Sequence, residues 1–272
     1  MKTSLFSTIT ALLFACSCVC HADVLDWTSG EKIVIPLQRG PFTVLRYPAK
    51  LPPGRTSPKV LVVFGSGCGG WSYWEENVCH KLQADGDEVL GIDFSLYAQM
   101  DYDLAILESD YRTIVQKGLT TYAAAQSPVI LGGWSTGAEQ AVAAAGGPQP
   151  PPGLVGLLLV SPGSEGGYGS YAVSYLDLDA PSTKLFKLTD FAPKLSGLQI
   201  VQWHAEFDPL DSISWLHLLK TPHREYTFPD AIHDYDGACA SFLTGLSSST
   251  SWILDKKSNP PSSMGITISQ IR

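Results

Sequence analysis

The run Val129-Ile130-Leu131-Gly132-Gly133-Trp134-Ser135-Thr136-Gly137-Ala138 constrains this chain more than any other stretch. An apolar, β-prone segment breaks at a Gly-x-Ser-x-Gly pentapeptide into an alanine-rich helix that ends near Gly146-Gly147, and the pentapeptide occurs once. A strand, a sharp turn and a helix in that order make a nucleophile elbow, which lifts a serine hydroxyl above the end of a sheet. The two glycines have a mechanical reason, since a Cβ two positions from the strained serine would strike the neighbouring strand or helix. Ser135 is therefore the candidate nucleophile; the bland alternative is a serine that merely serves the turn.

The elements around the elbow set the fold class. Glu31 to Leu37 and Phe42 to Tyr47 are two β-prone runs joined by Gln38-Arg39-Gly40-Pro41, which predicts an antiparallel hairpin. Val60 to Phe64 is continuously apolar, as a strand buried on both faces should be, and empties into Gly65-Ser66-Gly67-Cys68-Gly69-Gly70-Trp71. The pattern then predicts a helix over 73–84, a strand over 88–94, a helix over 102–124, the elbow strand and its helix. Strands over 154–160, 198–204 and 224–228 and a closing helix over 242–254 complete it. Alternation of this kind implies a mostly parallel central sheet with helices on both faces and right-handed crossovers. The Gly-, Ser- and Tyr-rich segment 163–187, with Tyr168, Tyr171 and Tyr175, reads either as a lid over the site or as an ordinary solvent loop. Lys257 to Arg272 reads as a loosely held tail.

A serine hydroxyl attacks only when a base takes its proton, and the base needs an acid to fix its tautomer. The chain order for this fold is serine, then acid, then histidine, the last two in loops after later strands. Asp208, in Glu206-Phe207-Asp208-Pro209-Leu210, follows the strand over 198–204, and His233 follows the strand over 224–228. Glu206 and Asp211 share the acid loop; Asp208 is preferred because Asp-Pro sets a tight turn. His80, His204, His217 and His223 fall on a helix, a strand end or ahead of the last strand. Oxyanion donors are expected from the backbone of Thr136 and from the glycine-rich loop at Gly67 or Cys68. That loop lacks the Gly-Lys-Ser/Thr ending of a phosphate-binding loop, and no spacing resembles a zinc site, so neither a cofactor nor a metal is expected.

At 272 residues with 44% hydrophobic and 16% charged side chains, the chain has room for one large core. A net charge of −8 without any basic stripe argues against a nucleic-acid partner. Residues 1–22 read as a secretory signal: Lys2, the apolar run Leu5 to Phe14, and Cys20-His21-Ala22 before Asp23. The expected division is thus signal 1–22, domain 23–256 and tail 257–272, with a periplasmic or secreted location. Leu13-Phe14-Ala15-Cys16 approximates a lipobox, a competing reading that bulky Phe14 weakens. The apolar stretch is shorter than the ~20 residues of a membrane span. Cys16, Cys18 and Cys20 would leave with the signal, so Cys68, Cys79 and Cys239 remain, giving one disulfide of unspecified pairing and one free thiol.

These residues together resemble the VirJ/AcvB-type virulence-protein family of α/β-hydrolases. Its Ser-Gly-Asp-Gly-Gly-Trp loop is similar to Ser66-Gly67-Cys68-Gly69-Gly70-Trp71, with Cys68 where the family carries Asp. Its Gly-Tyr-Ser-x-Gly-Ala elbow is similar to Gly133-Trp134-Ser135-Thr136-Gly137-Ala138, and the acid loop and His-Phe-Asp-Gly-type end resemble Ala205 to Asp211 and His233 to Gly237. The likeness spans about Val60 to Leu254. It implies an α/β-hydrolase fold and an exported serine hydrolase, with aminoacylated phosphatidylglycerol among the family's substrates and secretion-machinery assembly among its roles. A small-molecule or lipid ester substrate and peripheral membrane contact follow as expectations. The rival expectation is a non-catalytic binding or assembly factor on the same fold.

Overall fold

A computed structural model describes residues 28–174, 180–235, 239–255 and 264–267, leaving the expected signal, Tyr175, Asp236, Gly237 and most of the tail outside the described residues. The hairpin of β1 (Glu31–Leu37) and β2 (Gly40–Tyr47) is antiparallel, with Leu37 opposite Gly40. There follow β3 (Leu61–Gly65), α1 (Tyr73–Ala84), β4 (Glu88–Ile92), α2 (Phe94–Tyr97), α3 (Leu104–Thr121), β5 (Val129–Trp134), α4 (Thr136–Gly146) and β6 (Leu154–Val160). Beyond them lie β7 (Glu165–Gly167), β8 (Leu185–Lys187), α5 (Leu188–Phe191), β9 (Gln199–Ala205), β10 (His223–Phe228), α6 (Cys239–Leu254) and β11 (Met264–Thr267).

The main sheet runs β1-β2-β4-β3-β5-β6-β9-β10-β11, parallel from β4 to β11, with β2 antiparallel to β4. Its unbroken apolar strands serve two separate cores. Leu61, Val63, Leu131 and Leu157 face α3 and α4, whereas Val62, Phe64, Ile130 and Leu158 face α1 and α6. Alternate side chains point to opposite faces of a strand, so a sheet covered on both sides requires an apolar residue at every position.

Several boundaries differ from the sequence reading. The fourth strand stops at Ile92 because Asp93 caps α2, its Oδ1 accepting from the Ser95 amide at 2.9 Å and from the Leu96 amide at 3.4 Å. The long helix begins at Leu104 rather than Tyr102, because Asp103 caps it through the Ile106 amide at 2.9 Å. Gly147 follows α4 in extended backbone at φ −76°, and its need for glycine is space: a Cβ there would stand 2.0 Å from Glu108 Oε1.

The described part of segment 163–187 is neither structureless nor spread in solvent. β7 and β8 pair as an antiparallel ribbon, and buried Tyr168 packs on Phe186 with ring centroids 4.8 Å apart. Residues 264–267 of the expected loose tail instead add the ninth strand, parallel to β10. Cys79 is a buried free thiol, and the side chain of Cys239, on which the expected disulfide depends, lies outside the described residues. Among the described residues no helix is long and apolar enough to cross a membrane.

Candidate active site

The four segments that matter leave the same, carboxyl-terminal end of the parallel strands: 66–72 after β3, Ser135 after β5, 206–211 after β9 and 229–235 after β10. Ser135 has φ 50° and ψ −116°, a region that costs an L-residue energy, and its amide donates to the Val160 carbonyl at 2.8 Å. The strain is enforced by close packing. A Cβ on Gly133 would lie 2.3 Å from the Gly137 carbonyl carbon, and one on Gly137 would lie 2.3 Å from the Gly65 carbonyl oxygen. Both glycines of the pentapeptide are thus required by contact rather than by backbone handedness, and they press the elbow against the end of β3.

His233 and Asp208 meet across the two later loops, with Nδ1 to Oδ2 at 2.5 Å. Asp208 Oδ1 also accepts the Leu210 amide at 2.9 Å, which ties the tight turn expected from Asp-Pro. Burial pushes the Asp208 carboxyl up, but the His233 bond, the Leu210 amide and the imidazole charge outweigh it, so it titrates below the ordinary value. For His233 burial pulls downward, and the bond to Asp208 with the charges of Asp208, Asp211 and Glu139 carries it above 6.5.

The other candidate carboxylates are used elsewhere. Glu206 Oε2 accepts the Asp230 amide at 3.1 Å. The Asp211 side chain is buried and gathers His204 Nδ1 at 2.8 Å, the Ser161 hydroxyl at 3.0 Å, the Ala205 amide at 3.1 Å and Gln202 Nε2 at 3.2 Å. Burial nevertheless raises its carboxyl. His80 lies on α1, 3.4 Å from Glu76, and the His223 Nδ1 is 3.1 Å from the Thr221 carbonyl oxygen, away from the elbow. His217 lies in the short helix Ser214–Leu218, also outside the cavity.

Ser135 and His233 line one cavity of about 310 Å³, together with Gly67, Cys68, Trp74 and Trp134. A cavity of about 340 Å³ lies at the opposite end of the strands, between Pro128, Gly153 and Leu254, and carries no titratable side chain, so the chemistry selects the smaller one. Thr136 is the first residue of α4, where a backbone N–H has no acceptor within the helix. Gly67, Cys68, Gly69 and Gly70 make a tight turn closed by the Gly70 amide on the Gly67 carbonyl at 3.1 Å. Gly67 sits beside the serine, an added Cβ being 3.7 Å from that of Ser135.

Two buried carboxyl groups escaped the sequence reading. Glu75 Oε1 accepts the Gly67 amide at 3.3 Å, and its Oε2 accepts the Ser72 amide at 2.9 Å, so it ties down the expected oxyanion loop. Ser72-x-x-Glu75 is a capping-box pattern that was legible in the sequence. Glu139, one helical turn after Ser135, accepts the Gly163 amide at 3.0 Å, and burial pushes its carboxyl up to about 7. An acidic residue in an alanine-rich, apolar helix was the available signal. None of the described residues of segment 163–187 lines the cavity; instead Thr136 donates to the Ala172 carbonyl at 3.0 Å and Gln140 to the Gly167 carbonyl at 2.7 Å.

Comparisons with known proteins agree with this architecture. The family model described as bacterial virulence protein (VirJ) matches residues 59–146, the stretch holding both the glycine-rich loop and the elbow. No curated protein matches the sequence. Among solved structures, Est1E from Butyrivibrio proteoclasticus is 14% identical with a TM-score of 0.62, covering 84% of this chain and 100% of its own. A putative dienelactone hydrolase from Klebsiella pneumoniae is 13% identical with a TM-score of 0.62, covering 83% and 98%. A Xanthomonas campestris protein described as an α/β serine hydrolase without lid is 14% identical with a TM-score of 0.55, covering 85% and 97%. The chain therefore has the α/β-hydrolase fold, and its residues 59–146 match the VirJ family model.

Proposed function

We propose that this chain is an exported serine hydrolase that cleaves a carboxylic ester through an acyl-enzyme. The observation that carries the reading is that His233, held by Asp208 at 2.5 Å, lines the same cavity as a serine on a strained elbow. Asp208, kept ionised by its partners, fixes the proton on His233 Nδ1 and leaves Nε2 as the base. Ser135 Oγ gives its proton to Nε2 and attacks the ester carbonyl carbon. The resulting oxyanion takes hydrogen bonds from the backbone of Thr136 and of Cys68, the Gly67 amide beside it being engaged by Glu75. The tetrahedral intermediate then expels the alcohol, protonated by His233, and leaves the acyl group on Ser135. Water activated by the same imidazole releases the acid.

The resemblance to the VirJ family, together with Asp234 on the cavity wall, supports an acyl group bearing an ammonium, as in an aminoacyl-phospholipid. The direct test incubates lipid extracts with the protein and with Ser135→Ala, following aminoacyl-lipid by mass spectrometry. Loss with the parent alone is expected. Retention of fluorophosphonate labelling or of p-nitrophenyl ester hydrolysis by Ser135→Ala would overturn the mechanism.

A further inference from the structure

Of the eight large apolar side chains exposed among the described residues, three sit on the two loops that carry Asp208 and His233. Phe207 is 59% exposed and Leu210 50%, on either side of Asp208-Pro209, and Ile232, directly before His233, is 51% exposed. The loops hold one another rigidly. The Phe207 amide donates to the Ala231 carbonyl at 2.9 Å and the Glu206 amide to the Phe228 carbonyl at 3.2 Å, and Asp208 grips His233. Apolar surface displayed on two cross-linked loops beside a reaction cavity is the kind of exposed patch that marks an interaction site.

The charges around the three side chains have one sign. Glu206, Asp230 and Asp234 are exposed on the same loops, no lysine or arginine lies between 204 and 211 or between 229 and 235, and the whole chain carries −8. Such a rim is repelled by an anionic bilayer and attracted to one whose headgroups carry ammonium charge.

We propose that Phe207, Leu210 and Ile232 form an interfacial anchor that seats the cavity mouth on a lipid surface bearing cationic headgroups. The proposal rests on the ester-hydrolase reading only in its purpose, which is to bring a lipid ester to Ser135 without the lipid leaving the bilayer. Apolar side chains entering the interface supply the adhesion, and the flanking carboxylates select the surface.

The test measures sedimentation of the Ser135→Ala protein with phosphatidylcholine vesicles containing either a cationic lipid or phosphatidylglycerol, so that binding is read without turnover. Binding is expected to be at least tenfold tighter to the cationic vesicles. It should fall at least tenfold in the Phe207→Ser, Leu210→Ser, Ile232→Ser triple variant, with circular dichroism melting verifying its fold; Phe207→Ser alone should fall about threefold and serves if the triple variant does not fold. Equal binding to both vesicle types, no binding to either, or binding unaffected by the substitutions would overturn the anchor. So would a concentration-dependent dimer that the substitutions dissolve, which would make the patch an interface between copies. Fluorophosphonate labelling of the parent in solution reads Ser135 independently, so a failed anchor and a failed hydrolase give different results.

Discussion

Asp208 and Asp211 stand three residues apart in one loop and have opposite characters. Asp208 sits below the ordinary carboxylate range because it holds His233, whereas burial lifts Asp211 although four donors surround it. Asp208→Asn is expected to lower kcat on a p-nitrophenyl ester about 10⁴-fold, because an amide favours the wrong imidazole tautomer. Asp211→Asn should keep most of that activity and cost about 1–3 kcal/mol of stability, read by urea melting, because buried donors lose a charged acceptor. The acid limb of kcat/KM should have its midpoint above pH 6.5, since the base works neutral and its pKa is raised; removing the Asp208 charge should move the limb to lower pH. The choice of Asp208 was legible from Asp-Pro in the sequence. What Asp211 does was not, because its partners Ser161, just after β6, and Gln202, on β9, meet it only in three dimensions.

At the scale of elements, legibility followed local signals. Helix α1 occupies the predicted 73–84 because Ser72 and Glu75 mark its start within four residues. The β5–α4 junction was equally plain, because both glycines answer to contacts within one turn of the serine or with the adjoining strand β3. Gly137→Ala places a Cβ against the Gly65 carbonyl, a backbone atom that cannot swing aside, and is expected to cost about 1–3 kcal/mol and to lower kcat on soluble esters. The pairing of β7 with β8 and of β11 with β10 was hidden, since three- and four-residue strands carry too little periodicity to stand out, and their partners lie far along the chain.

The whole molecule carries a pH-dependence separate from that of the reaction. Asp87 is buried with neither carboxylate oxygen partnered among the described residues, and burial pushes it up to about 7; Glu139 is raised to about the same value. A carboxyl raised on folding binds more protons in the native state than in the unfolded one, so stability falls as pH rises from about 4 to about 7. Urea melts across that window should show the decline, and Asp87→Asn should flatten it by up to ~1.4 kcal/mol per pH unit. His233, the proposed base, benefits from rising pH while the scaffold loses by it, so activity and durability should peak at different acidities.

The interlock of Gly65, Gly133 and Gly137 also says where this architecture can vary. No side chain fits between the end of the third strand and the start of the helix that follows the elbow, so neither can be recut to widen the cavity. Any retargeting, in nature or in the laboratory, has to be written into the rest of the wall, at Cys68, at Trp74 and in the turns that follow the ninth and tenth strands.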